Sequence, residues 1–143
     1  MTRVLICGDR NWTDREAIRL LVAKLKPGDV VIEGEARGAD RIARDLAREA
    51  GIEIDPYPAR WKRYGLAAGP VRNREMLTEG RPDLVLAFHD NLARSKGTRD
   101  MVTIARQAGV ETWVWSQGEW ERGVMVLDGA TSPLVSKRGR RQR

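Results

Sequence analysis

Short apolar runs and amphipathic stretches alternate along the chain. Val4–Cys7, Val30–Ile32 and Leu84–Phe88 are continuous apolar runs that are too short for helices. Ile52–Tyr57 and Val110–Trp115 are less regular but rich in β-branched and aromatic residues. Buried strands of a parallel sheet have this appearance. The pattern therefore predicts five strands.

Between these strands, apolar residues recur at the three- and four-residue spacing of amphipathic helices, as in Ala17–Leu25, Ala39–Ala50 and Met101–Ala108. Thr13 and Glu16 have capping-box spacing, and Gly69-Pro70 suits the start of a further helix. Strands that alternate with helices predict right-handed βαβ units. We expect an α/β fold with a mostly parallel five-stranded sheet and helices on both faces.

The C-terminal part of the chain lacks this pattern. Val124–Leu127 is a candidate edge strand, so we expect one domain over residues 1–128 with a short C-terminal extension. Residues 129–143 read as a basic flexible tail, because they have no apolar face to offset the entropy of ordering. Lys137–Arg143 carries five of the six net positive charges, so the body is nearly neutral. The tail predicts weak contact with nucleic acid.

Composition narrows the class of protein. At 143 residues, with 41% hydrophobic and 32% charged residues, the chain is typical of one globular domain. It has no apolar run of membrane-spanning length, and a strand begins too early for a signal peptide. The single cysteine, Cys7, lies in a strand and is expected to be a buried, inert thiol in a cytoplasmic protein. Because the chain has one histidine, His89, and one cysteine, we expect no metal site. We also expect no required cofactor.

The turn Gly34–Asp40 is the first candidate for chemistry. It joins a strand to a helix, and its glycines Gly34 and Gly38 allow an anion to approach backbone N–H groups. Arg37 adds a cation suited to phosphate. The arrangement predicts a phosphate subsite.

Three further segments follow predicted strands: Gly8–Trp12, Arg60–Arg74 and Ser95–Asp100. The carboxyl ends of parallel strands share one edge of the sheet, where α/β proteins bind ligands. We therefore expect a phosphorylated ligand at this edge, among six cations: Arg10, Arg37, Arg60, Arg72, Arg74 and Lys96. His89 is interpreted as a loop residue, and Trp113, Trp115 and Trp120 as packing residues.

Four motifs in order resemble a known family: G-D-R-N-W, G-E-A-R-G-A-D, W-K-R-Y-G-L-A-A-G-P-V-R-N-R-E-M, and D-L-V-L-A-F followed by K-G-T. Over roughly residues 1–115 the chain is similar to the YspA/YpsA-related branch of the SLOG superfamily. This resemblance implies a Rossmann-like fold that binds nucleotides or nucleotide-derived ligands. Related groups include the LOG phosphoribohydrolases, which split nucleoside monophosphates, and the DNA-processing protein DprA.

The LOG pattern matches this chain only in part. The resemblance assigns Gly34 and Gly38 to the phosphate turn, and Arg72 and Gly97-Thr98 to further ligand contacts. LOG enzymes have a catalytic glutamate three residues after that threonine, where this chain has Met101. Asp100 is one residue short, which turns a helical side chain by about 100°. The match therefore predicts weak or absent phosphoribohydrolase activity.

We expect the chain to bind a nucleotide-type ligand, as a sensor or as a hydrolase of unidentified reaction. The alternatives are a LOG-like enzyme, whose carboxylate would be Asp9, Asp40 or Asp100, and a DprA-like nucleic-acid-binding protein. The sequence leaves open whether the protein forms a homodimer. The predicted ligand-binding residues are Gly8, Arg10, Gly34, Arg37, Gly38, Asp40, Trp61, Arg72, Asn73, Lys96, Gly97 and Thr98.

Overall fold

A single mixed sheet organises the protein. The computed structural model describes residues 1–122 and 131–134. The elements are β1 Arg3–Gly8, α1 Arg15–Val22, β2 Val30–Glu33, α2 Ala39–Glu49, β3 Glu53–Pro56, α3 Trp61–Tyr64, α4 Ala68–Thr78, β4 Leu84–Phe88, α5 Gly97–Gln107, β5 Glu111–Ser116 and β6 Glu119–Arg122, with short 3₁₀ turns at Gly65–Ala67 and Leu92–Arg94. No helix in the described ranges is long and apolar enough to cross a membrane.

The strand order is β3-β2-β1-β4-β5-β6. Strands β1 to β5 pair in parallel, and β6 pairs antiparallel with β5. The predicted α/β class with five parallel strands is therefore confirmed. Because β1 lies between β2 and β4, the chain progresses to one side of β1 and then returns to the other, as in Rossmann-type folds.

The core has two layers, one on each face of the sheet. Strand residues such as Val4, Ile6 and Phe88 pack with α1 and α2 on one face. Leu5, Cys7 and Val85 alternate with them and pack under α4 and α5 on the other. Helices cover both faces, which explains why Val4–Cys7 of β1 and Leu84–Phe88 of β4 are apolar at every position.

Strand β6 ends the sheet in a way that the sequence did not show. Gln117 and Gly118, both with positive φ, form the two-residue turn from β5, and Ser116 pairs with Glu119. Trp120 packs edge-on against Phe88, Trp113 and Trp115, so the packing role predicted for these tryptophans is confirmed. The edge strand proposed at Val124–Leu127 lies outside the described residues.

One local prediction is wrong, and those for the C-terminal part of the chain lie largely outside the described residues. Helix α1 is capped by Asp14, whose side chain accepts from the N–H of Ala17, and not by Thr13. The proposed domain boundary at 128 and the cations of Lys137–Arg143 lie outside the described residues. Within the expected tail, Leu134 is only 2% exposed and packs in the core layer of α1 and α2.

Candidate functional site

The candidate site lies where the strand order reverses, at the carboxyl ends of β1 and β4. The N–H of Asp9 donates to the carbonyl of Phe88 at 2.9 Å, so the two strand ends remain paired beyond β1. A Cβ on Gly8 would overlap the Phe88 carbonyl. Glycine is therefore required here for the close approach of the two strands.

The first cavity opens above these strand ends, with a volume of about 370 Å³. Its apolar lining comes from Cys7, Met76 and Met101. Burial raises the pKa of the Cys7 thiol, and nearby Asp40 raises it further, so the predicted buried, inert thiol is consistent with this position. The polar lining includes Gly8, Asp9, Arg10, Asn11, Asp40, Arg72, Asn73, His89, Ser95, Lys96, Gly97 and Thr98.

A second cavity of about 470 Å³ adjoins the first and shares Arg10, Ala36 and Arg72 with it. Arg37 and Arg41 add two more cations to its lining. Its other lining residues are Gly34, Glu35, Pro58, Ala59 and Trp61. The two cavities together form one positively lined cleft across β1, β2 and β4.

Two N–H groups of the turn Gly34–Asp40 are occupied by a side chain of the same turn. The buried carboxylate of Asp40 accepts from the N–H groups of Gly34 at 3.1 Å and Ala36 at 3.4 Å. Burial raises the pKa of Asp40 to about 6, although Arg72 and these two N–H groups act in the opposite direction. The Asp40 carboxylate thus occupies two of the donors that the sequence offered to a phosphate.

Arg72 connects the two cavities. Its Nη1 donates to the carbonyl of Gly34 at 2.6 Å, and its Nε donates to Oδ1 of Asn73 at 3.0 Å. Asn73 in turn donates to the carbonyl of Gly97 at 3.2 Å and to Asp100 at 2.9 Å. These contacts fix the guanidinium plane and tie α4 to the first turn of α5.

The first turn of α5 forms one wall of the first cavity. The N–H of Thr98 donates to Oγ of Ser95 at 3.0 Å, and a Cβ on Gly97 would meet open space. Lys96 is exposed, and within the described ranges its ammonium group makes no hydrogen bond or ion pair. This wall therefore combines a helix N-terminus with an uncommitted cation.

Acidic residues at the end of β2 form part of the second cavity's surroundings. Glu33 is fully buried, and burial together with neighbouring Glu35 raises its pKa to about 9. Glu35 has a positive φ of 60° and pairs with Arg44 at 2.7 Å, and the pKa of Glu35 is lowered. The end of β2 thus holds one neutral and one ionised carboxyl group at pH 7.

Of the predicted ligand-binding residues, Gly38 has a different position. It is absent from the described lining of both cavities, and at its φ of 75° a Cβ would overlap the carbonyl of Asp9. The next N–H, of Ala39, donates to the same carbonyl at 3.2 Å. Gly38 therefore holds the turns after β1 and β2 together. The other predicted ligand-binding residues line one or both cavities.

Two of the six predicted cations lie elsewhere. Arg60 lies 3.8 Å from Glu75, and Arg74 donates to the carbonyl of Pro70 on the exposed surface of α4. Conversely, Arg41 and His89 line the cleft, although the sequence did not single out Arg41 and His89 was interpreted as a loop residue. His89 directly follows β4, so its place after a buried strand was a usable signal.

Comparison with known proteins identifies the family. The model of the YspA, cpYpsA-related SLOG family matches residues 2–64. The Gene 61 protein of Mycobacterium phage D29 is 41% identical over an alignment of 119 residues, and the match covers 77% of this chain and 93% of that protein. The chain belongs to this SLOG family. A solved structure of DprA from Streptococcus pneumoniae has a TM-score of 0.65 at 17% identity, over 80% of this chain. The chain spans half of that DprA, and the likeness shows a shared fold.

Within this SLOG chain, the candidate catalytic carboxylates have different surroundings. Asp100 accepts from Asn73 and is not among the described lining residues of the cleft. Met101, at the position of the LOG glutamate, is 1% exposed in the lining of the first cavity. Asp40 is buried on two backbone N–H groups, whereas Asp9 faces the cavity.

Proposed function

We propose that this SLOG protein binds a nucleotide or another phosphorylated, nucleotide-derived ligand in the cleft formed by the two cavities. The observation that carries the proposal is the position of the cleft, at the reversal of strand order and lined by five cations. Clefts at this position bind ligands in open α/β sheets. Membership of the SLOG family supports the nucleotide-type chemistry.

The phosphate subsite of the proposal is the first turn of α5 together with Lys96 and Arg72. The helix N-terminus favours an anion, and both side chains line the same cavity. The turn Gly34–Asp40 is the weaker choice because Asp40 occupies two of its N–H groups. The proposed phosphate subsite is therefore at the start of α5 and not, as the sequence predicted, at the turn Gly34–Asp40.

The base subsite of the proposal is the face of Trp61. Its side chain is 49% exposed in the lining of the second cavity, and the Arg10 guanidinium lies 6.0 Å from its ring centroid. A half-exposed indole beside a cation offers a stacking surface to a planar base. A ligand bound in this way would extend across both cavities, past Arg10 and Arg72.

The alternatives have less support from the cleft. LOG-like cleavage needs a positioned carboxylate, and apolar Met101 occupies the relevant position. The DprA likeness favours an interaction with nucleic acid, which would use the same cations and adjoining aromatic surface. Single-stranded DNA therefore belongs among the probes of the test.

The test measures calorimetric binding of five kinds of probe: nucleoside 5′-monophosphates, nicotinamide dinucleotides, cyclic dinucleotides, ADP-ribose and single-stranded DNA. For a nucleotide that binds, we expect Lys96→Ala to weaken affinity about tenfold, the effect of losing one charge-assisted contact. Lys62→Ala is the matched control, because Lys62 is an exposed lysine on α3 outside the described cavity linings.

Arg72→Gln should reduce affinity similarly, with Arg74→Gln on the same helix as its control. Since Arg72 also bonds to Gly34, thermal unfolding of the variant must be measured alongside. The proposal fails if the unsubstituted protein binds no member of the panel. It also fails if Lys96→Ala and Lys62→Ala bind equally well.

A further inference from the structure

Two side chains at the base of the cleft face each other without bonding. Asp9 follows β1 and His89 follows β4, and backbone bonds fix both: Asp9 N–H donates to Phe88 at 2.9 Å and His89 N–H to Trp115 at 3.0 Å. Both side chains line the first cavity. Their placement is therefore set by the sheet itself and not by a loose loop.

The hydrogen bonds of His89 define which ring nitrogen is a donor. Its Nδ1 accepts from the backbone N–H of Asn91 at 3.0 Å. A neutral imidazole whose Nδ1 is an acceptor carries its proton on Nε2. His89 therefore presents an Nε2–H donor toward the cavity and Asp9.

The carboxylate of Asp9 is similarly divided between two roles. Its Oδ1 accepts from the backbone N–H of Asn11 at 2.9 Å, while Oδ2 lies 4.0 Å from Nε2 of His89. That separation is too long for a direct hydrogen bond. Oδ2 of Asp9 is thus an acceptor and Nε2–H of His89 a donor. At this separation, one oxygen atom placed between them can bond to both.

We propose that Asp9 and His89 bind one sugar hydroxyl of the ligand, and that they thereby select ribose over deoxyribose. A hydroxyl group can donate to Oδ2 of Asp9 and accept from Nε2–H of His89 at the same time. A phosphate or carboxylate oxygen would meet the Asp9 carboxylate as a like charge, and an ammonium group could not accept from His89.

The inference rests on the proposed function, since it takes the ligand to be a nucleotide. Its hydroxyl chemistry also fits a water molecule, which could bridge the same two atoms. Deoxy analogues separate the two sources, because removing a sugar hydroxyl affects binding only if that hydroxyl is what the pair holds.

The experiment compares calorimetric affinities of the four ribonucleoside 5′-monophosphates with those of their 2′-deoxy and 3′-deoxy forms. We expect the protein to bind a ribonucleotide at least about tenfold more tightly than one of its two deoxy forms, the value of a hydrogen bond to a charged group. Asp9→Asn and His89→Ala should bring that preference to within about twofold, because neither variant can hold the hydroxyl between an acceptor and a donor.

Asp9→Asn retains an Oδ1 that can accept from Asn11, so the turn itself is preserved. Asp90→Asn is the matched control: Asp90 is adjacent to His89 but accepts from Gln117 and is outside the described lining of the cleft. It should keep the full preference for the ribonucleotide.

A second measurement reads His89 directly, because it is the chain's single histidine. Long-range ¹H–¹⁵N spectra should show the Nε2–H tautomer, and its Nε2 resonance should shift with the ribonucleotide more than with the discriminated deoxy form. The inference is overturned if ribo and deoxy forms bind equally, which would assign the pair to water, or if Asp9→Asn keeps the preference. Absence of any nucleotide binding would instead refute the proposed function, and the inference with it.

Discussion

At the scale of single residues, carboxyl groups determine much of how the cleft is built. Asp40 lies in a turn that suggests phosphate binding, yet its carboxylate accepts from the turn's own N–H groups. Glu33 is buried beside it at the end of β2, with its pKa raised to about 9. The sequence does not reveal that these two carboxyl groups are buried, because the same residues on an exposed turn would give the same sequence pattern.

The raised pKa of Glu33 predicts a pH dependence of stability. Between its ordinary pKa of 4.5 and about 9, the folded state holds a proton that the unfolded chain has released. Stability is then lost as pH rises, by up to about 1.4 kcal/mol per pH unit. Asp40 contributes in the same direction, but only up to about pH 6.

Glu33→Gln should therefore flatten the decline of stability between pH 6 and 9, because glutamine mimics the neutral carboxyl group without titrating. Denaturant unfolding at several pH values in this interval measures the two slopes. Glu16→Gln is the control, because Glu16 is an exposed carboxyl on α1 that pairs with Arg19 and has a lowered pKa, so it should leave the slope above pH 6 intact. Parallel slopes for Glu33→Gln and the unsubstituted protein would contradict the assignment.

At the scale of elements, the turns after β1 and β2 are packed backbone against backbone. Gly38 and Ala39, at the start of α2, lie against the carbonyl of Asp9. Since Asp9 is also paired with Phe88, this contact links β2, β1 and β4 at the edge that carries the cleft. The cleft is therefore assembled from turns that constrain each other.

Gly38→Ala tests this packing, with Gly51→Ala as the matched control. Both glycines have a φ near +75°, but a Cβ on Gly51 would meet open space, whereas one on Gly38 would overlap Asp9. Each variant should lose about 1–3 kcal/mol from backbone strain at positive φ, and Gly38→Ala should lose about 1–3 kcal/mol more from overpacking. Urea unfolding measures both losses of stability. Equal losses would contradict the close packing at Gly38, because the turns after β1 and β2 would then accommodate a Cβ at no extra cost.

The sequence predicted the elements better than their ends. Strands β1, β2 and β4 were evident as apolar runs bounded by glycine, proline or polar residues, and β3 and β5 were evident from their β-branched and aromatic residues. The cap of α1 was assigned to Thr13, although Asp14 also caps helices and its carboxylate suits the N-terminal dipole. β6 was missed because Glu119–Arg122 has a single apolar side chain, Trp120, whose ring partners lie on β4 and β5.

For the candidate site, the sequence predicted which residues come together better than it predicted where their side chains point. Residues after each strand converge at one edge, so Arg10, Arg72 and Lys96 could be grouped from their position alone. Side-chain direction could not be inferred in this way. Arg72 and Arg74 are two residues apart on α4 and point to different surroundings, one to the cleft and one to its own helix.

At the scale of the whole molecule, two groups of cations have separate places in the chain. The cleft cations are balanced elsewhere in the body, whereas Lys137–Arg143 contributes five positive charges in seven residues. A nearly neutral body favours binding of a small ligand by directed contacts, while a run of cations favours backbone phosphates of any sequence. These two modes should be separable by removing the cationic run.

Truncation after Leu134 performs that separation, because it removes all five charges and retains every residue that lines the cleft. If five phosphates are neutralised, single-stranded DNA should bind the full chain with a log–log salt slope of about −3.5. The truncated chain should lose most of that binding and its salt dependence, yet keep its nucleotide affinity within about twofold, since no cleft contact changes. Salt titrations by fluorescence anisotropy measure the slope. If the slope survives truncation, the cleft cations themselves bind the DNA backbone, and the nucleic-acid alternative becomes the better account of this protein.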